Sequence, residues 1–346
     1  MLIKPIRYCL VVFATLICIV LIFLGVAGVK SYRPQGVEIL YSSDTAPSYS
    51  VDSLTVTTWN VGYANMDATA DFFMDGGKMV RNKRVQVEEN ILYIAKTLQY
   101  TGSDIFLLQE VDIDARRSYH INQLGVIHRY LVDYQHFFAL NFNTFFVPIP
   151  IFEPIGQVKS GVSVLSRWQP KSVERWSYPV TLPIPNRWFD LQRCFMVCRF
   201  SLVNEKELVV INTHNSAFDK RNRRSKEMNF LQQFLTDEYE KGNYVIAGGD
   251  WNQTPPQYSA TAGTPQYTPI PVSADFLPAD WTFAYDAQHP SVRFANQPYN
   301  EETSLVSIVD FFVLSPNLTV KSVTTLPFHF ASSDHEPVNI SIGINE

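Results

Sequence analysis

Hydrophobic and polar positions divide the chain into one long apolar run and a series of short periodic segments. From Cys9 to Val29 no charged residue interrupts the run. At about 1.5 Å per residue, a helix of this length matches the ~30 Å hydrocarbon core of a bilayer. A cleaved signal peptide is the competing interpretation, but its apolar region is usually only about 7 to 15 residues long. The pattern therefore predicts an N-terminal membrane anchor, or an uncleaved signal, over residues 1–29.

The basic residues around the run give little preference for an orientation. Lys4 and Arg7 precede the run, and Lys30 and Arg33 follow it, so the positive-inside rule is nearly balanced. We expect the C-terminal part to lie outside the cytoplasm. Residues 30–50 contain Pro, Gly and Ser without a sustained period, which predicts a juxtamembrane linker.

From residue 51 onwards the pattern alternates between the periods of strands and helices. Residues 53–62 alternate as a strand does, residues 79–100 place apolar side chains on one helical face, and residues 101–111 indicate a buried strand. Further strands are predicted at 160–168, 194–202, 207–214, 243–250, 304–315 and 337–344, with a second long helix at 228–242. Strands outnumber helices and the two are interspersed, which indicates an α/β (α+β) catalytic domain over residues 51–346.

Charge and cysteine content exclude two simple possibilities. The formal net charge is -5, so the protein has no overall basic surface for non-specific binding of nucleic acids. Cys9 and Cys18 lie in the apolar run, and Cys194 and Cys198 share one predicted strand. Four residues of a strand span about 13 Å, beyond the ~7 Å that a disulfide allows between Cα atoms. No disulfide framework is expected.

Polar side chains stand at the ends of several predicted strands, where packing does not need them. They are Asn60, Glu110, His214, Asp250, Asn252 and Asp310, and Asp334 and His335 follow in "SSDHEP". A single Asp or Asn at a strand end usually forms a turn. An unpaired buried carboxylate is unfavourable by several kcal/mol, so this number of polar strand ends indicates a binding site.

The order of these motifs resembles the endonuclease/exonuclease/phosphatase superfamily, the metal-dependent phosphoesterases that include pancreatic-type deoxyribonucleases and neutral sphingomyelinases. The strongest signal is "GGDWN" followed by a terminal "SDH", and the resemblance runs from Asn60 to His335. It implies a four-layer sandwich of two mixed β-sheets with helices outside, an active site at one rim, and hydrolysis of a phosphoester by an activated water.

The resemblance also implies a divalent cation at the site. Asn60 and Glu110 would hold Mg²⁺, with Mn²⁺ as a possible substitute, and Asp334 would be a further ligand. These are hard oxygen ligands of the kind that Mg²⁺ prefers.

The remaining motif residues take catalytic roles by the same resemblance. Asp250 would orient or deprotonate the attacking water, and Asn252 would donate a hydrogen bond to a phosphate oxygen. His335 would contact the phosphate or act as a base, with Asp310 fixing its tautomer. His214 would contact the phosphate or assist the leaving group.

Three interpretations of function stay open. A phosphodiesterase of endonuclease type would use the basic segment 219–227 to follow phosphates and Trp281 or Tyr285 to stack on bases. A lipid-directed phosphoesterase would place the apolar run 136–152 against the bilayer, although a packed core segment explains that run equally well. A non-catalytic adhesion or scaffold protein could share the fold, but every acid of the motif set is present.

Two departures and one sequon refine these expectations. Asn215, which follows His214, and Ser307, which precedes Asp310, differ from the family pattern. By the resemblance, both departures affect the expected leaving-group pocket. A glycan on the N-x-Thr sequon at Asn252 would block the proposed phosphate site, so we expect a bacterial envelope protein. The partners expected are a phosphoester substrate, either a nucleic acid or a phospholipid headgroup, and the membrane, without an obligate protein partner.

Overall fold

Two β-sheets pack face to face in the structure, a computed structural model that describes residues 3–180, 182–217, 219, 222–258 and 269–344. The helices are α1 (Ile3–Lys30), α2 (Arg84–Thr101), α3 (Gln123–His128) and α4 (Arg223–Glu240). The strands are β1 (Val37–Ser42), β2 (Ser53–Asn60), β3 (Ile105–Asp112), β4 (Gln135–Val147), β5 (Gly156–Ser166), β6 (Ser172–Ser177), β7 (Cys194–Ser201), β8 (Glu207–His214), β9 (Tyr244–Asp250), β10 (Thr282–Ala284), β11 (Val292–Arg293), β12 (Val306–Ser307), β13 (Asp310–Leu314), β14 (Leu318–Thr325) and β15 (Val338–Ile344).

Both large sheets are mixed. The larger sheet has the strand order β1-β6-β7-β8-β9-β13-β10, and the smaller has the order β14-β15-β2-β3-β5-β4. β8 and β9 are parallel, as are β2 and β3, and the other neighbours in these two sheets are antiparallel. β11 and β12 form a separate short pair. The carboxyl ends of β2 and β3 therefore meet at one edge, as do those of β8 and β9.

Three hydrophobic clusters fill the spaces between four layers. Between the sheets, Leu107 and Val210 belong to a cluster that apolar residues of both sheets form. On the outer face of the smaller sheet, Ile91 of α2 packs in one cluster with Phe106. On the outer face of the larger sheet, Leu235 of α4 belongs to another. The predicted four-layer arrangement of two mixed sheets flanked by helices is confirmed.

Several elements differ from the predicted ones. Helix α2 begins at Arg84, so Val80 lies outside it and packs in a separate small cluster. Residues 37–42 of the predicted linker form β1, which pairs with β6. The apolar run 136–152 is mostly β4, a long strand paired with β5. β4 escapes the period rule because side chains on both of its faces are buried or partly buried, whereas most side chains of β1 are exposed.

Helix α1 is long and apolar enough to cross a membrane. The segment Ile6–Lys30 has a mean hydropathy of 3.2 in its most apolar window, and none of that window is buried inside the protein. Signal sequences share this length and composition. Towards its end, Ala27 is buried, so the last turns of the helix are in contact with the catalytic domain.

Candidate active site at the rim of the sandwich

The topology brings the predicted polar residues to a single rim. Asn60 and His214 are the last residues of β2 and β8, and Glu110 lies two residues before the end of β3. Asp310 begins β13 directly opposite Asp250, because β13 runs antiparallel to β9. Asp334 and His335 are in the turn that leads into β15. All eight predicted site residues therefore lie around one rim: Asn60, Glu110, His214, Asp250, Asn252, Asp310, Asp334 and His335.

The two glycines before Asp250 allow β9 to fit between its neighbours. A Cβ atom on Gly248 would lie 2.5 Å from the ring of Phe312. Gly249 has a φ of 153°, and a Cβ there would overlap the carbonyl oxygen of Thr213 on β8. Any other residue at these positions would push the strands apart. The pair therefore holds Asp250 close to both sheets.

A bulge in β3 directs Glu110 towards the rim. The pairing of β3 with β5 shifts register between Leu108 and Val111, and Glu110 has a φ of 55°. A non-glycine residue in this left-handed region is uncommon and is found at functional sites. The carboxylate is 29% exposed and lies 3.7 Å from Nε2 of His214. Burial raises the pKa of Glu110 to about 7, even though Arg117 opposes this.

Asp250 lies at the centre of the site. Its Oδ2 accepts a hydrogen bond from the Asn60 amide at 3.0 Å, and its Oδ1 accepts one from the backbone N–H of Asn252 at 2.9 Å. The same Oδ2 lies 3.5 Å from Nε2 of His214 and 3.8 Å from Nε2 of His335. Burial raises the pKa of Asp250 above its usual value, although His335 opposes this.

His335 is held by a chain of hydrogen bonds that ends on a serine. Its Nδ1 lies 2.8 Å from Oδ2 of Asp310, and that oxygen also accepts from Oγ of Ser291 at 2.8 Å. Burial alone would disfavour a charged imidazole, but the carboxylates of Asp310 and Asp250 raise the pKa of His335 well above its ordinary value. His335 is therefore held as an imidazolium with its Nε2 turned towards Asp250.

His214 has the opposite character. Burial, together with the charge of Arg193, lowers its pKa well below the ordinary value. Arg193 donates a hydrogen bond to the His214 carbonyl at 2.9 Å, and the buried Nδ1 of His214 has no hydrogen-bond partner among the described residues. His214 and His335, whose pKa values are shifted in opposite directions, thus both place Nε2 near Oδ2 of Asp250.

The turn that carries Asp334 is tied to β2. Oγ of Ser333 donates to the Asn60 carbonyl at 2.7 Å, and the indole of Trp59 donates to the His335 carbonyl at 2.8 Å. Burial raises the pKa of Asp334, with His335 opposing. Burial thus raises the pKa values of Glu110, Asp250 and Asp334 at this rim.

The residues present fit a hard divalent cation. Ligand atoms of Asp250, Asp310 and His335 lie within 4.8 Å of one another, and the buried Oδ1 of Asp310 has no hydrogen-bond partner in the part of the chain that the structure describes. The hydrogen bond between Asp310 and His335 occupies two of these groups with each other. Among the residues that the structure describes, no hydrogen bond reaches the Glu110 carboxylate. A divalent ion bound there would favour the ionised form of these carboxylates, whose pKa values burial raises.

Other groups around the site have no counterpart among the sequence motifs. Nε2 of Gln109 donates to Oδ1 of Asn212 at 2.7 Å, which joins the two sheets beneath the rim. Arg117 forms a two-pronged hydrogen bond to Asp112 and lies 3.6 Å above the ring of Tyr63. The only sequence signal for the first pair is a polar residue inside each apolar strand.

The two departures from the family motif face inward. Oδ1 of Asn215 accepts from Tyr178 at 2.9 Å and from Thr213 at 2.6 Å, so its side chain is part of the core. Ser307 is buried, and its hydroxyl has no partner among the described residues. Nδ2 of Asn252 donates to the Asn215 carbonyl at 2.9 Å. Asn215 thus supports the phosphate-binding candidate rather than lining a leaving-group pocket.

The features proposed for nucleic-acid binding are largely engaged within the protein. Arg223 contacts Asp190 at 3.3 Å and Glu227 at 3.2 Å. Lys220 and Arg221 lie outside the described residues. Trp281 is buried in the cluster beneath α4, so it is not available to stack on a base.

Comparison with known proteins agrees with this geometry. A solved endonuclease/exonuclease/phosphatase family protein from Leptotrichia buccalis C-1013-b has a TM-score of 0.54 at 14% identity, over 84% of this chain and all of that one. One from Beutenbergia cavernae DSM 12333 has a TM-score of 0.51 at 17% identity, over 85% and 72% of the two chains. D. rerio TDP2, solved with a single-strand DNA product, has a TM-score of 0.51 at 13% identity over 85% and 100%. No curated protein matches the chain.

The fold and the acid, amide and imidazole groups at its rim define a phosphoester hydrolase. Residues 57–335 match the Endonuclease/Exonuclease/phosphatase family. The chain belongs to this family, whose members depend on divalent metals.

Proposed function

We propose that the protein is a membrane-anchored, Mg²⁺-dependent phosphodiesterase. The observation that carries this proposal is the group of three carboxylates with raised pKa values, Glu110, Asp250 and Asp334, on the rim of a phosphoester-hydrolase fold. Asn60, through the second lone pair of its Oδ1, would complete an all-oxygen ligand set with Glu110 and Asp334. A bound Mg²⁺ would supply positive charge that stabilises the phosphoryl oxygens.

The residues of this chain take distinct roles in hydrolysis. Asp250 accepts the proton of the attacking water, and the Asn60 amide holds its carboxylate in place. His335, kept protonated by Asp310, donates a hydrogen bond to a phosphoryl oxygen as negative charge develops there. Neutral His214 and the Asn252 amide contact the remaining phosphoryl oxygens.

Two substrate classes follow from specific observations. Cleavage of a nucleic acid, as the motif pattern favours, is supported by the likeness of the fold to D. rerio TDP2, which was solved with a single-strand DNA product. Action on a lipid phosphoester is supported by the exposed apolar side chains of Ile151 and Phe152 in the turn between β4 and β5. In both cases α1 is the proposed anchor, with the catalytic domain outside the cytoplasm in a bacterial envelope.

The proposal is tested with the full-length protein in detergent and two soluble substrates, bis(4-nitrophenyl) phosphate and 4-nitrophenyl phosphate. We expect the diester to be hydrolysed faster than the monoester, only in the presence of Mg²⁺ or Mn²⁺. A matched surface variant, Glu88→Gln on α2, should behave as the wild type. Hydrolysis that continues undiminished in excess chelator would refute the metal-dependent mechanism.

A further inference from the structure

The turn that follows β2 has a strained backbone directly beside the site. Gly62, Tyr63 and Ala64 have φ angles of 48°, 42° and 55°, so three successive residues lie in the left-handed region. This region is unfavourable for residues other than glycine, and such strain persists only where the surrounding structure holds it. A Cβ atom on Gly62 would lie 3.0 Å from Oδ1 of Asp334. The turn therefore lies against one of the proposed metal ligands.

Two contacts hold Tyr63 in this conformation. Its carbonyl accepts a hydrogen bond from Nε2 of Gln123 at 2.6 Å, and Oε1 of Gln123 accepts one from the backbone N–H of Asp112 at 2.9 Å. The guanidinium of Arg117 lies 3.6 Å from the centre of the Tyr63 ring, and Asp112 accepts two hydrogen bonds from that guanidinium. Both contacts thus lead to Asp112, two residues after Glu110.

The hydroxyl of Tyr63 has no hydrogen-bond partner among the residues that the structure describes, although Tyr63 is only 5% exposed. Two other buried tyrosines differ in this respect. The Tyr134 hydroxyl donates to the Ser103 carbonyl at 2.6 Å, and the Tyr178 hydroxyl donates to Oδ1 of Asn215 at 2.9 Å. A buried hydroxyl without a partner is unfavourable. The Tyr63 hydroxyl is therefore suited to a ligand that brings an acceptor.

The charges that act on this hydroxyl belong to the proposed metal side of the rim. Burial raises the pKa of Tyr63 well above its ordinary value, Arg117 opposes this, and the carboxylates of Glu110 and Asp334 raise the pKa further. The hydroxyl therefore stays protonated and keeps its proton for a hydrogen bond. The oxygens of a phosphoester are acceptors, and a cation held by Glu110 and Asp334 would attract them to this side of the rim.

We propose that Tyr63 is a further phosphate-binding residue, whose hydroxyl donates a hydrogen bond to a phosphoryl oxygen beside Glu110 and Asp334. This inference rests on the proposed hydrolysis and adds a contact to the same site. His214 and Asn252 approach the phosphoryl group from the larger sheet, whereas Tyr63 follows β2 of the smaller sheet, so both sheets supply contacts. Because the strained turn fixes the hydroxyl before the substrate binds, little reorganisation is needed as negative charge develops.

The inference is tested with Tyr63→Phe and a matched control, Tyr134→Phe, in the full-length protein. Tyr134 is 6% exposed and its ring centre lies 5.1 Å from the guanidinium of Arg167, but its hydroxyl bonds to Ser103, before the opposite end of β3. Tyr63→Phe keeps the ring beneath Arg117 and removes only a hydroxyl without a partner. We therefore expect Tyr134→Phe to lower the melting temperature and Tyr63→Phe to leave it nearly unchanged.

Phosphate binding and turnover should show the opposite order. In isothermal titration calorimetry with inorganic phosphate and saturating Mg²⁺, Tyr63→Phe should bind about 10- to 100-fold more weakly than the wild type, as is usual for loss of a hydrogen bond to a charged group. Its kcat/KM for bis(4-nitrophenyl) phosphate should fall by a similar factor. Tyr134→Phe should match the wild type in both measurements. Mg²⁺ alone should raise the melting temperature of both variants equally, because the hydroxyl contacts the phosphate and not the cation.

Three results would overturn the inference: wild-type affinity for phosphate in Tyr63→Phe, loss of its Mg²⁺-dependent rise in melting temperature, or a wild type that binds no phosphate. The second result would place Tyr63 at the cation instead. Absence of diester hydrolysis by the wild type would refute the proposed function, whereas the phosphate titration would still decide whether Tyr63 contacts the anion.

Discussion

Two clusters of carboxylates, one on the outer face of the larger sheet and one at the rim, have pKa values shifted in opposite directions. On the outer face of the larger sheet, Arg199 donates two hydrogen bonds to Glu238, at 2.8 and 3.0 Å, and Lys241 donates a third at 2.8 Å. Although burial opposes ionisation, these partners lower the pKa of Glu238 to about 2. At the rim, burial raises the pKa of Glu110 to about 7. The difference lies in the number of cationic partners.

The comparison shows which region is structural and which is prepared for a ligand. The Glu238 cluster satisfies its charge within the chain, whereas the rim places Glu110, Asp250 and Asp334 together with too little positive charge. Perturbed pKa values of this kind are typical of functional sites. A bound cation would favour the ionised form of all three carboxylates.

The largest expected effect is on activity, from Glu110→Gln. Loss of a carboxylate ligand should lower kcat/KM for bis(4-nitrophenyl) phosphate in Mg²⁺ by about 10³-fold. The fold should remain intact, since no hydrogen bond from the described residues reaches the Glu110 carboxylate, which is 29% exposed. Steady-state kinetics and circular dichroism check both points. Wild-type activity in this variant would remove Glu110 from the site.

The next largest effects on activity are expected from substitution of Asp250 and His335, the two groups that handle protons. Asp250→Asn removes the acceptor for the proton of water, and His335→Ala removes the imidazolium, so each should lower kcat by about 10²–10⁴-fold. KM should change less, because both groups act mainly as charge develops. A wild-type kcat in either variant would contradict the catalytic role of the substituted residue.

A smaller effect, on stability alone, is expected from Glu238→Gln. The pKa of Glu238 in the folded protein is about 2, below its ordinary value of 4.5. Its contribution is therefore complete above about pH 4.5 and is lost as the pH falls towards 2. The variant should lower the free energy of unfolding by about 2 kcal/mol at pH 7, with full activity in Mg²⁺. Thermal unfolding at pH 7 and pH 3 measures this, and a stability difference that persists unchanged at low pH would contradict it.

Most of the site and the layer arrangement could be predicted from the sequence, because short motifs at strand ends carry both. "GGDWN" and "SDH" identify Asp250, Asn252, Asp334 and His335 without knowledge of strand pairing. The bulge that directs Glu110 and the hydrogen bond from Gln109 to Asn212 depend on the register of strands far apart in the chain. Local patterns do not contain that information.

The most direct test of the central claim is the melting temperature, Tm, of the full-length protein with and without saturating Mg²⁺. The buffer is one in which the protein is folded before heating. A ligand that binds only the folded state raises Tm in proportion to the logarithm of its concentration above Kd. We expect Mg²⁺ to raise the Tm of the wild type and of Glu238→Gln by the same amount, and to leave that of Glu110→Gln nearly unchanged. An equal rise in all three proteins would show that the cation binds elsewhere and would contradict the account.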